Sequence, residues 1–68
     1  MHIIVNGKPR ELKAGTSIQE LLDQLRLDCL QVVVEHNQQI IPRQRLAETV
    51  LQDGDVLEVI HFVGGGYN

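Results

Sequence analysis

The sequence contains no tryptophan, one tyrosine and one phenylalanine, so any core it builds must be almost wholly aliphatic. It has a single cysteine, Cys29, which excludes an internal disulfide and a zinc site held by a cysteine cluster. Such usage fits a reducing compartment. No segment approaches the ~18 consecutive apolar residues of a membrane-spanning helix. The first residues lack the basic start and apolar run of a secretory leader. The expectation is a soluble, cytoplasmic protein without a membrane partner. Six Lys and Arg stand against nine Asp and Glu, a formal net charge of -3. No basic cluster with interleaved aromatics occurs, so the footprint of a nucleic-acid binder is missing and no nucleic-acid partner is expected. The phosphate-cradling pattern G-x-x-x-x-G-K-[ST] is also absent.

What is present suffices for one fold. Sixty-eight residues support one core and not two, and a hydrophobic fraction of 43% with 22% charged residues argues against intrinsic disorder. His2 to Val5 is an apolar, partly β-branched run followed by Asn6-Gly7, the dipeptide preferred in tight hairpins because both residues tolerate positive φ. A return strand is predicted over about Arg10 to Lys13, with Pro9 near its start. Ser17 and Glu20 form a capping box, S-x-x-E, in which each side chain satisfies the other's free backbone N-H. Ile18, Leu21, Leu22 and Leu25 then recur at i, i+3, i+4 and i+7, one apolar stripe on a helix that must cover a sheet. Further strands are predicted over Gln31 to His36, Gln39 to Ile41 and Val56 to Val63, with a loop or short helical turn from Arg43 to Gln52 and a tight turn at Asp53-Gly54-Asp55. The order ββαββ, turn, β fits an α+β fold: a four- or five-stranded mixed sheet packed on one main helix, with first and last strands adjacent and parallel. That is the ubiquitin-like β-grasp arrangement, here occupying residues 1-63.

Residues 64-68 are predicted to form a flexible C-terminal glycine tail. Gly64, Gly65 and Gly66 follow the last apolar strand directly, and a run without Cβ atoms can thread a channel too narrow for side chains. Its useful cargo is a carboxylate. Glu58 sets the phase of the last strand: with Glu58 in water, Leu57 and Val59 face the core, while Ile60 and Phe62 join Val33 as a candidate partner-docking patch beside the tail. The other reactive residue types read as structural. Cys29 has no activating motif and is expected to be partly buried. His2, His36 and His61 lack ligand spacing and are expected at the surface, so no metal site is assigned. Glu35, Glu58, Asp53 and Asp55 are given turn and surface roles, and Arg43 with Arg45 makes a modest basic spot.

Taken together, the Asn-Gly hairpin, the Ser17 to Leu25 helix, the stretch Asn37-Gln38-Gln39-Ile40-Ile41-Pro42-Arg43, the Asp-Gly-Asp turn and the ending Val59-Ile60-His61-Phe62-Val63-Gly64-Gly65-Gly66 resemble the thiamine-biosynthesis sulfur carrier (ThiS) family over essentially the whole chain. The resemblance implies a substrate protein, not an enzyme. It implies that an E1-like, ThiF-like adenylyltransferase couples the carboxylate of Gly66 to ATP with Mg, and that cysteine-derived sulfur displaces AMP to give a thiocarboxylate. A ThiG-like thiazole synthase then receives the sulfur. No cofactor is bound by the chain itself. Members of the family normally end at the glycine, and Tyr67-Asn68 departs from that pattern: either these residues are trimmed before use, or they are an addition, or this chain is not loaded. With them in place it is expected to be inactive. A carrier for another pathway, molybdopterin or cysteine synthesis, and a β-grasp interaction module that is never thiolated are the alternatives.

Overall fold

The computed structural model describes residues 1-62, and the predicted strand end at Val63 and the tail at 64-68 lie outside them. Eight short elements follow one another: β1 (His2–Val5), β2 (Lys8–Glu11), α1 (Ile18–Gln24), a 3-10 turn (Cys29–Gln31), β3 (Val32–His36), β4 (Gln39–Ile41), a second 3-10 turn (Arg43–Arg45) and β5 (Val56–His61). The strands make one five-stranded sheet in the order β2-β1-β5-β3-β4. β1 runs parallel to the central β5, and every other pairing is antiparallel. The first and last strands are therefore neighbours, as the long connection between them allows.

The helix starts where its sequence says it must. Ser17 Oγ accepts from the Glu20 N-H at 3.1 Å, and Glu20 Oε1 accepts from the Ser17 N-H at 2.8 Å, closing the capping box. Ile18, Leu21 and Leu22 are fully buried and belong to one core with Ile3, Val5, Val32, Val34, Leu57 and Val59. Leu25 is only partly buried because the helix ends at Gln24 and Leu25 serves as its C-cap. Cys29 is half-buried against the core, as expected.

Three boundaries differ from the sequence expectation. β2 spans Lys8–Glu11, not Arg10 to Lys13, because Asn6 and Gly7, at φ 52° and 79°, make a two-residue turn that leaves Val5 opposite Lys8. Pro9 thus sits inside a strand, on an edge of the sheet where a missing donor is tolerated. β3 begins at Val32 because Gln31 belongs to the 3-10 turn capped by Asp28. β5 ends at His61, although the Phe62 N-H still donates to the Gln31 carbonyl at 3.0 Å. Leu46 and Leu51, each 2% exposed, complete the core from the weakly patterned stretch before β5. A single antiparallel bridge, Ser17 to Val50, and the Leu51 N-H to Thr16 carbonyl bond of 2.8 Å hold that stretch against the helix start.

Candidate functional site: the two ends and the outer face of the last strand

β5 alternates between two environments, and the phase set by Glu58 is the one observed. Leu57 and Val59 are buried, whereas Ile60 is 51% and Phe62 43% exposed. Val33 lies directly opposite Ile60 across the β3-β5 ladder and is half-buried. The sheet therefore brings Val33, Ile60 and Phe62 together on its outer face, next to the point where the chain leaves the domain. Ile40, 67% exposed on β4, carries that apolar surface further. It faces Glu35 in the β3-β4 register, and Glu35 in turn faces Glu58. Ile40 was not singled out from the sequence, although its alternation with Ile41, which packs on the core, is a readable signal.

The beginning of β5 is held by a polar knot. Asp55, expected at the surface, is buried, and its carboxylate accepts from His36 Nε2 at 2.7 Å, Asn37 Nδ2 at 3.2 Å and the Gln52 N-H at 2.9 Å. A carboxylate only accepts, so Nε2 of His36 carries the proton. His36 is correspondingly no free surface residue: its side chain is 19% exposed. Burial pushes the Asp55 carboxyl up, but the bonds from His36, the Gln52 N-H and Asn37, with the attraction of His36, outweigh it and hold the carboxyl below its ordinary value. Asn37 grips the strand as well, accepting from the Val56 N-H through Oδ1 at 2.9 Å and donating its own N-H to the Val56 carbonyl at 2.8 Å.

The other polar candidates are accounted for locally. Asp53 accepts from the His2 N-H at 2.7 Å, which ties the turn before β5 to the start of β1. His2 pairs with Glu11 at 3.1 Å and His61 is exposed on β5, so the three histidines stand apart. Among the described residues no group of three or more His, Cys, Asp or Glu is placed to hold a metal. No helix among them is long and apolar enough to cross a membrane. Gly64, Gly65 and Gly66, the tail assigned from the sequence, lie outside the described residues.

A helix gripped by a five-stranded sheet, with a parallel pair at its centre and an exposed apolar face beside the chain exit, defines a ubiquitin-like β-grasp protein. Comparison with known proteins narrows the class. The ThiS family model matches residues 3–66, from β1 through the third glycine of the tail. The chain belongs to the ThiS family. It is 46% identical over 63 residues to the sulfur carrier protein ThiS of Bacillus subtilis, covering 91% of this chain and 96% of that one. A crystal structure of the thiamine biosynthesis protein ThiS from Geobacter metallireducens superposes with a TM-score of 0.82 at 35% identity, covering 97% of this chain and all of the other. The chain is also 38% identical, over 97% of its length, to a thiazole synthase of Paramagnetospirillum magneticum, of which it spans 20%. That thiazole synthase therefore carries a segment of this kind within a much longer polypeptide.

Proposed function

We propose that this chain is a sulfur carrier of thiamine biosynthesis whose working group is the α-carboxylate of Gly66. The observation that carries the reading is the extent of the family match: it runs through all three glycines and stops at Gly66. A carboxylate with a pKa of about 3.5 is ionised at neutral pH and is a poor electrophile. It is activated when its oxygen attacks the α-phosphate of ATP, with Mg bound by a partner, releasing pyrophosphate and leaving an acyl-adenylate. Cysteine-derived sulfur then displaces AMP to give the thiocarboxylate. The partners on this reading are an E1-like adenylyltransferase, the sulfur donor and a thiazole synthase, and the kinship with thiazole synthases that contain a segment like this one supports the last. The chain is their co-substrate and binds no cofactor itself.

The residues divide the work by size and polarity. Gly64 and Gly65 give reach without side chains, so the carboxylate of Gly66 enters a narrow site. Ile60, Phe62 and Val33 are the docking surface, because apolar area beside the tail both anchors the partner and sets the distance to its nucleotide. While Tyr67 follows, the carbonyl of Gly66 is locked in a peptide bond, so loading requires cleavage after Gly66.

The test is intact-mass analysis of two forms, one ending at Gly66 and one continuing through Tyr67 and Asn68. Each is incubated with the adenylyltransferase, ATP, Mg and a sulfur donor. The form ending at Gly66 is expected to gain the mass of an adenylyl group (AMP less water) and then, on displacement of AMP, to differ from the starting chain by one oxygen exchanged for sulfur. Gly65→Val in that form is expected to block loading without altering stability. Thiolation of the longer form at Asn68 contradicts the role of Gly66. No adenylation of either form by any E1-like partner favours an interaction module.

A further inference from the structure

Every second residue of β5 turns its peptide groups toward β1. The Ile4 N-H donates to the Asp55 carbonyl and the Asn6 N-H to the Leu57 carbonyl, each at 2.9 Å. The next rung belongs to Val59, but β1 has ended. Asn6, at φ 52°, has already turned the chain into the hairpin, and among the described residues no backbone continues along this flank of β5. The Asn6 side chain supplies the rung instead. The Val59 N-H donates to Oδ1 at 2.8 Å, and Nδ2 donates to the Val59 carbonyl at 3.3 Å. A carboxamide has the same donor and acceptor set as a peptide unit, so here it takes the place of one.

Beyond this rung, the bond from the Phe62 N-H to the Gln31 carbonyl ties the strand to the β3 side. Asn6 is the matching tie on the β1 side. On the β3 flank the ladder itself runs through Val32 and His61. Support on both flanks holds a strand in the plane of its sheet, whereas support on one flank leaves it free to swing about that flank. Only Val63 separates Phe62 from the glycines in the sequence, so the direction of the strand at Val59 to Phe62 is the direction in which the described chain approaches them.

We infer that Asn6 is a positioning residue for the glycine tail, its side-chain amide aiming the end of β5 at the partner's reaction site. The inference rests on the carrier reading for its consequence in catalysis and on the Asn6-Val59 geometry for its mechanism. A reactant held in the right line reacts faster without binding more tightly, so the expected signature is in kcat and not in KM.

The test uses the chain ending at Gly66 and two variants that keep the hairpin turn. Asn6→Gly accepts the positive φ and removes the amide. Asn6→Asp accepts the same φ, retains an acceptor for the Val59 N-H and loses the donor to its carbonyl. Hydrogen exchange at the Val59 amide is expected to rise roughly three- to tenfold in Asn6→Gly, more than at the helix amides of Leu21 and Leu22, and less in Asn6→Asp. Residual dipolar couplings of the Gly64, Gly65 and Gly66 amides are expected to shrink in the same order. In adenylation, kcat for Asn6→Gly is expected to fall roughly three- to tenfold with KM for the carrier unchanged within about twofold. Unchanged Val59 exchange overturns the rung, and faster exchange with unchanged couplings and kcat overturns the aiming role. If the parent chain is not adenylated, the carrier reading falls, and the couplings still decide whether Asn6 directs the tail.

Discussion

Two hairpins flank the central strand, and each reaches across to β5 with an asparagine held at nearly the same positive φ, Asn6 at 52° and Asn37 at 51°. The resemblance ends there. Asn37 holds the beginning of β5 and is itself fastened to a buried carboxylate that also engages His36 and the Gln52 backbone. The Asn6 side chain holds the far end at Val59, with no buried carboxylate behind it, and the Asn6 backbone N-H donates to the Leu57 carbonyl. The beginning is held by several side-chain bonds at once. The end is paired with β3 through His61 on one flank and held by the Asn6 side chain on the other, beside an exposed apolar face. Stability is thus concentrated where the strand starts, and accessibility where the chain leaves.

The comparison breaks most completely if the shared support is removed. Leu22 is fully buried in the core that β5 shares with the helix, and Leu22→Ala is expected to cost ~2 to 5 kcal/mol in chemical denaturation. A loss under ~0.5 kcal/mol, the size of an ordinary surface change, contradicts the central place of the helix.

Next in size is Asp55→Ala, which strands three donors at the beginning of β5: His36 Nε2, Asn37 Nδ2 and the Gln52 N-H. It is expected to cost ~2 to 4 kcal/mol, with amide protection lost at Val56 before Val59. Equal loss at the two ends shows that they are not independent.

Acid probes the same end more gently. The folded carboxyl of Asp55 lies below its ordinary value, so it contributes stability at pH above the unfolded value, and that contribution is lost as pH falls through the folded one. Denaturation midpoints measured from neutral pH down to about 2 are expected to decline more steeply for the parent than for Asp55→Asn, with the difference opening below the unfolded aspartate value of about 3.9. Parallel curves for the two proteins contradict the assignment.

The smallest stability effect is expected at the exposed face. Ile60→Asp and Phe62→Asp should change stability by less than ~1 kcal/mol, the scale of a cross-strand pair. The same variants should weaken docking to the adenylyltransferase at least about tenfold, as loss of an interface anchor does. Isothermal titration separates the two quantities. Unfolding of both variants contradicts the observed phase of β5, and unchanged affinity moves the docking surface elsewhere.

What was readable from the sequence is what local chemistry specifies. The Asn6-Gly7 turn needs only two residues that accept positive φ, the helix start needs only Ser17 and Glu20 three apart, and the phase of β5 follows from one glutamate among aliphatics. β2 was misplaced by two residues because Pro9 reads as a boundary when its edge position is unknown. The glycine run is visible for a reason independent of folding, since a side-chain-free stretch after an apolar strand needs no tertiary context to be recognised, and it lies outside the described residues.

The tertiary structure alone decided the rest, and sequence separation is the reason. Asn6 and Val59 lie 53 residues apart, and Asp55 lies 19 from His36, so no periodicity relates either pair. His36 and Asp55 carry the residue types of a solvated surface, and only closure of the sheet brings them together and largely covers the carboxylate. Leu46 and Leu51 enter the core through one bridge and a few backbone bonds, in a stretch too irregular to display a buried face. The sequence by itself determined the order of the elements and their inner faces, because those follow from neighbours along the chain. How β5 is anchored at its start and aimed at its end depends on groups that meet only once the sheet has formed.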